Sequence, residues 1–243
     1  MVKKTAIVSF FTKNCTHELS ENTQKSFTQA ANKWSSDNIV FNDPIQPPGF
    51  HDMFTKLFLC NYLHEYDQCI YLDTDMIINS KAPNPFELFN DEECCYVVRD
   101  LQTETVTPKQ KYSLKKTRLC GPWYATLKQI IKTDITKQQF FDNFFNAGMF
   151  IFSPKKHNYI FSAIQQALQH LPQKYYPIHQ VEQALLNLYF MTLLKDKLMY
   201  IPQEWNYLDP PLNTETMEGY IYHFNGFYPE KVKKCIYVYD KWR

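Results

Sequence analysis

The 243-residue sequence predicts an α/β fold in which a mostly parallel sheet is flanked by helices. Three observations lead there. Short apolar runs that end in polar or turn residues recur at Ala6–Phe11, Cys69–Leu72, Cys94–Val98 and Ala147–Phe152. Stretches with helical spacing lie between them. Proline and glycine fall between these elements, as at Pro44–Gly49 and at Ser153-Pro154.

Taken in order, Ala6–Phe11 reads as a buried strand and the polar stretch His17–Trp34 as a helix, a βα start. Ile39–Phe41 suits a second strand before the Pro44–Gly49 break, where regular structure stops. Apolar residues at 54, 57, 58, 59, 62 and 63 approach helical spacing and predict a helix over Phe54–Tyr66. It feeds the strand Cys69–Asp75, and a second run, Met76–Ile78, follows at once. Cys94–Val98 and Ala147–Phe152 are further buried strands, and Tyr220–His223 is an apolar strand before a glycine turn. Ligands of such sheets collect at the carboxyl ends of the strands.

This length suits a single domain, residues 1–243, with a basic insertion at about 101–140. That segment holds eight basic residues, Lys109, Lys111, Lys115, Lys116, Arg118, Lys128, Lys132 and Lys137, against Glu104 and Asp134. It reads as a lid for an anionic glycan, a patch for an anionic membrane surface or a solvated helical face. The net charge of +1 gives no overall pull toward nucleic acid. Seven cysteines without a CxxC pair, and no secretory leader, predict reduced thiols in the cytoplasm. No run of about eighteen apolar residues predicts a membrane span. Peripheral contact with the inner membrane face is the alternative setting, and the basic, aromatic stretch Lys231–Arg243 is a second candidate for it.

In Tyr71-Leu-Asp73-Thr-Asp75 two carboxylates lie two apart at the end of an apolar run, and strand periodicity directs both to one face, with Thr74 pointing away. Paired carboxylates hold a hard divalent cation, which can bridge a diphosphate and stabilise it as a leaving group. An acidic pair can also simply end a strand in solvent. His223 closes another apolar strand, and carboxylates with an imidazole around one ion suit manganese; a lone histidine is more often a core residue.

Together these segments resemble the glycogenin-like retaining glycosyltransferases, family 8. The resemblance runs in order through Lys56-Leu57, Tyr66–Asp75, Pro85–Phe89, Phe145–Phe152, Glu182–Asn187, Ile201-Pro202 with Trp205-Asn206, and His223–Gly226. It implies a GT-A fold, a UDP-sugar donor and manganese, with magnesium as the alternative ion. By the same resemblance Asp73, Asp75 and His223 are the metal ligands, and Ser9, Phe10, Phe11 and Thr12 line the uridine pocket. Lys56, Thr74, Asn146, Ala147, Gly148, Gly226 and Lys231 fall at donor-contacting positions, the small residues at 147 and 148 letting backbone approach the sugar. Asp100, with Arg99 beside it, falls where the family places an acid against donor sugar or acceptor. Glu182-Gln183 falls at the family's Asp-Gln beside the anomeric carbon, a departure that keeps the charge and moves the carboxylate. The lysine that usually follows the HFxG motif is displaced, leaving Lys231, Lys233 and Lys234 as candidates.

The expected reaction is retaining transfer of a hexose from a UDP-sugar to a hydroxyl of a glycan or glycolipid. Two other classes are a nucleotide-sugar or glycan binding module, which does not need clustered metal ligands, and a sugar nucleotidyltransferase, which usually carries an early glycine-rich phosphate loop. Five glycines in the whole chain leave no such loop. A metal-dependent phosphohydrolase would place its catalytic aspartates beside the first strand.

Overall fold

The computed structural model describes residues 3–11, 17–100, 123–178, 180–208, 219–224 and 233. Its centre is a six-stranded sheet in the order β2-β1-β3-β6-β5-β7, formed by β1 (Thr5–Phe10), β2 (Asp37–Phe41), β3 (Gln68–Leu72), β5 (Cys95–Arg99), β6 (Phe145–Phe152) and β7 (Leu198–Ile201). The β1–β2, β1–β3 and β5–β7 pairs are parallel, and β6 runs antiparallel to both neighbours. A small second sheet joins β4 (Met76–Ile78), β9 (Ile221–His223) and β8 (Tyr207–Leu208). The mostly parallel α/β architecture is therefore the one the apolar runs indicate.

Alternation along the buried strands builds a core on each face. Ala6, Val8, Cys69, Tyr71, Cys95, Val97, Phe150 and Phe152 face one side. There they meet a 3-10 helix, Asp52–Tyr62, and residues of α5 (Pro154–Leu168) and α6 (Gln180–Leu193). Ile7, Ile70, Leu72, Tyr96, Val98, Met149 and Ile151 face the other, against Phe27, Ala30, Ala31 and Trp34 of α1 (His17–Trp34) and Phe86 of α2 (Pro85–Leu88).

Two elements differ from the sequence expectation. The segment expected as a helix over Phe54–Tyr66 is a 3-10 helix that ends at Tyr62. Its buried apolar positions Phe54, Leu57 and Cys60, continued by Leu63 just past its end, recur every three residues, the spacing that eclipses in a 3-10 helix, with Leu59 buried beside them. The strand expected to run through Asp75 stops at Leu72, so Asp73, Thr74 and Asp75 form the turn into β4. Of the basic stretch, residues 101–122 lie outside the described residues. The remainder includes α3 (Trp123–Ile131) and α4 (Lys137–Asp142), whose Leu127 and Phe140 are fully buried in the core. Among the described residues no helix is long and apolar enough to cross a membrane, and Cys60, Cys69, Cys94 and Cys95 are free thiols.

Where the β5–β6 register slips between Val97 and Arg99, the peptide groups of Phe145 bond to a side chain. Asn187 Oδ1 accepts from Phe145 N–H at 2.8 Å, and Asn187 Nδ2 donates to Phe145 O at 2.9 Å and Gln183 O at 3.0 Å. This fully buried amide fixes α6 to the start of β6. Replacement Asn187→Leu would strand both Phe145 groups away from water. The expected destabilisation is about 2 to 4 kcal/mol, read as a lower urea midpoint with unchanged m-value; a loss under about 0.5 kcal/mol would deny the amide this role.

Candidate functional site

The turn Asp73–Asp75 is held by its backbone from three sides. Asp73 N–H donates to Gly148 O of β6 at 2.8 Å, Thr74 O accepts from Thr23 Oγ1 of α1 at 3.0 Å, and Asp75 O accepts from Phe224 N–H at 2.8 Å. β4 begins at Met76, which pairs with His223 of β9. The result brings one ligand atom each of Asp73, Asp75 and His223 within 4.8 Å of one another. The convergence expected from strand periodicity is thus reached through a turn and an antiparallel pair. His223 Nε2 lies 3.2 Å from Asp75 Oδ1.

Gly148 explains how three side chains fit there. A Cβ on it would meet His223 Cε1 at 2.5 Å, Asn146 Oδ1 at 2.8 Å and Asp73 Oδ2 at 2.9 Å. The missing side chain leaves the space that His223, Asn146 and Asp73 occupy.

Beside the triad lies a buried lysine. Lys56 Nζ, carried by the 3-10 helix, donates to Asp73 Oδ1 at 3.0 Å and Ala147 O at 3.2 Å, and lies 3.3 Å from Glu182 Oε1 of α6. Three partners match the three protons of an ammonium. Tyr71 OH donates to the same Asp73 Oδ1 at 2.7 Å, and Lys56 Nζ sits 5.0 Å from the Tyr71 ring centroid. Asp73 Oδ1 is therefore taken by the protein, which leaves Oδ2 as the oxygen that could hold a cation. Glu182 Oε2 also accepts from Gln183 N–H, and Gln183 Oε1 accepts from Ala147 N–H at 3.3 Å.

The electrostatics follow from burial. For Lys56, burial works to lower the pKa, but Asp73 and Glu182 outweigh it and hold the ammonium charged. Burial raises Glu182 to about 7, against the pull of Lys56. Glu182 is thus a member of this cluster that titrates near neutrality. Burial also lowers the His223 pKa, but Asp75 and its hydrogen bond raise it above the ordinary value overall. Two carboxylates and an imidazole whose Nε2 faces them form a donor set that fits a divalent cation such as Mn²⁺.

The remaining expected residues divide into four groups. Asn146 and Ala147 lie beside Gly148 on β6, adjoining the triad and Lys56 respectively. The end of β1, with Ser9, Phe10 and Phe11, lies beside the end of β3, since Val8 pairs with Tyr71; the Ser9 hydroxyl is fully buried and has no partner among the described residues. Asp100 follows β5, its N–H donating to Phe144 O at 2.9 Å. Arg99 is exposed, 4.7 Å from the Tyr200 ring centroid. Thr12, Gly226, Lys231 and Lys234 lie outside the described residues, and Lys233 is exposed. The sequence reading gave no role to Tyr71 or Asn206, yet Asn206 Oδ1 lies 3.1 Å from His223 Nδ1. Position two before Asp73 was the available signal for Tyr71; for Asn206 there was only its place in the Trp205-Asn206 pair.

The sequence model of glycosyl transferase family 8 matches residues 5–231. Among solved structures, a glycosyltransferase involved in glycosylation of the major capsid of PBCV-1 aligns with TM-score 0.63 at 10% identity, covering 97% of this chain and 98% of that one. The galactosyltransferase LgtC, solved in complex with donor and acceptor sugar analogs, aligns with TM-score 0.60 at 15% identity over 98% of this chain and 96% of its own. The bifunctional glycosyltransferase WbbM gives TM-score 0.60 at 14% identity over 98% of this chain, which spans only 50% of that protein. These likenesses show the GT-A fold. No curated protein matches the chain.

Two outcomes are expected. Gly148→Ala forces a methyl among the triad, so Mn²⁺ affinity measured by calorimetry should fall at least about tenfold, with about 1 to 3 kcal/mol of overpacking cost; unchanged affinity would refute the cradle. For Glu182, the folded-state value of about 7 exceeds the ordinary value of 4.5. The folded protein keeps a proton that the unfolded chain has released, so stability from this group is full below 4.5 and is lost as pH rises to about 7. The loss amounts to about 3 kcal/mol at most. Urea midpoints at acidic and alkaline pH should show a downward slope in wild type that Glu182→Gln removes.

Proposed function

From the premise that this chain belongs to glycosyl transferase family 8, we propose that it transfers a hexose from a UDP-sugar to a hydroxyl of a glycan or glycolipid, with retention at the anomeric carbon and Mn²⁺ as the preferred ion. The observation that carries this reading is the Asp73, Asp75 and His223 cluster, cradled by Gly148 at the carboxyl end of β3. Such a cation, when bound, holds the diphosphate and offsets the charge of the departing nucleotide. The Ser9 hydroxyl at the end of β1, without a partner among the described residues, supports a nucleotide beside that cluster.

The residues next to the cluster support front-face substitution. Both oxygens of Glu182 are engaged, one by Lys56 and the other by Gln183 N–H, so this carboxylate is held as a charge partner and is not the nucleophile. Gln183, anchored through Oε1, offers Nε2 to the sugar. The bond from the anomeric carbon to the phosphate oxygen breaks, the bond to the acceptor oxygen forms on the same face, and the acceptor proton passes to the departing phosphate. The basic stretch 101–140 serves the acceptor, an anionic glycan or lipid-linked sugar.

The test is transfer and UDP release across a small panel of UDP-sugars, with and without Mn²⁺, for wild type and Asp75→Asn. Expected is Mn²⁺-dependent turnover of one preferred donor, reduced roughly a hundredfold or more in the variant. If no nucleotide sugar is bound or turned over, the chain is a binding module; if turnover survives chelation, the cation reading is wrong.

A further inference from the structure

The polarity of a chain of hydrogen bonds behind the cation site can be read from one fixed donor. Gly148 N–H lies 2.8 Å from an Asn146 side-chain atom, and because a backbone amide only donates, that atom is the oxygen Oδ1. The same oxygen faces the Asn206 amide at 3.3 Å, so the Asn206 atom there is the donating Nδ2. Asn206 Oδ1 then faces His223 Nδ1 at 3.1 Å. A carbonyl oxygen cannot donate, so Nδ1 carries the proton. Turning either amide over would set two donors or two acceptors face to face among buried groups.

The backbone keeps Asn206 in place. It closes the 3-10 helix Gln203–Asn206, whose Trp205 is buried against Phe89 and Tyr220, with ring centroids at 5.2 and 5.1 Å. Tyr220 N–H donates to Glu204 O, which ties this turn to the strand that carries His223.

We infer that Asn206 is a positioning residue: through Asn146 and Gly148 it keeps a proton on His223 Nδ1 and turns the ring so that Nε2 faces Asp73 and Asp75. Its purpose rests on the cation site proposed above: Nε2 lies 3.2 Å from Asp75 Oδ1 and without a cation donates a proton of its own to that carboxylate, a proton whose place a bound cation would take while Nδ1–H stays on Asn206. Imidazole ligands fixed by a partner on the far nitrogen bind metal about ten- to a hundredfold tighter than unfixed ones.

The first measurement is made on metal-free wild-type protein. A long-range ¹H–¹⁵N correlation spectrum at neutral pH should show a proton on His223 Nδ1; a ring protonated at Nε2 alone overturns the inference. The second is calorimetric titration with Mn²⁺ alone, for wild type and Asn206→Ala, after thermal melts establish that each is folded. Asn206→Ala should bind roughly ten- to a hundredfold more weakly. Affinity for Asn206→Ala within about twofold of wild type overturns the inference. If wild type binds no Mn²⁺, the cation reading fails and the tautomer spectrum alone decides the role of Asn206, as it does if Asn206→Ala does not fold.

Discussion

The buried ammonium of Lys56 is the interaction on which the rest of the site depends. Asp73, Asp75 and Glu182 bring three carboxylates into or beside one pocket with little exposure. Like charges at such separations repel by several kcal/mol where water is scarce. Lys56 answers two of them directly and caps the Ala147 carbonyl with its remaining proton. His223 answers the third through Nε2. A lysine with no exposed surface is costly unless its donors are all used, and here they are. It is therefore a structural counter-ion for the acidic cluster before it can be anything else.

The sheet delivers these groups because one strand runs against the others. β1, β3, β5 and β7 share a direction, so their carboxyl ends open on one side. β6 lies antiparallel between β3 and β5, so its early residues reach that same side. Met149 pairs with Leu72, and one step further places Gly148 against Asp73. Asn146, Ala147 and Gly148 thus enter the site from the sheet floor, while α6 brings Glu182 and Gln183 over them, fixed by Asn187. Rigid elements supply each contact, and the turn Asp73–Asp75 is tied to α1, β6 and the end of β9.

What could be read from the sequence were features expressed as period or chemistry. Fully apolar strands such as Ile70 and Tyr71 reveal themselves as runs, and Asp73-Thr-Asp75 reveals itself as charge at the end of one. The 3-10 helix was read as an ordinary helix because Phe58 and Leu59 fill the gaps between Phe54, Leu57, Cys60 and Leu63 and blur three-residue spacing into 3.6. The end of β3 at Leu72 was hidden because an apolar run continues into Met76–Ile78 across the acidic turn. Asn206 and Tyr71 were silent for another reason. Their roles are pairings across long separations, and only the folded sheet brings Asn206 to His223 or aligns Tyr71 OH with Asp73 Oδ1.

The glutamate at 182 stands where the resemblance drawn from the sequence implies an aspartate, and its contacts show where the longer side chain goes. The additional methylene carries the carboxylate back onto Lys56 and onto the first turn of its own helix, so both oxygens are spent within the protein. The acid at this position then faces inward, toward Asp73, and its charge is felt by the cluster through Lys56. In the proposed reaction the polar group that meets the sugar from this turn is the neighbouring Gln183, whose oxygen is anchored on β6. A neutral donor held by the sheet is suited to a sugar hydroxyl. A carboxylate held by a lysine is suited to setting the charge of the cation site, and this chain divides those two tasks between adjacent residues.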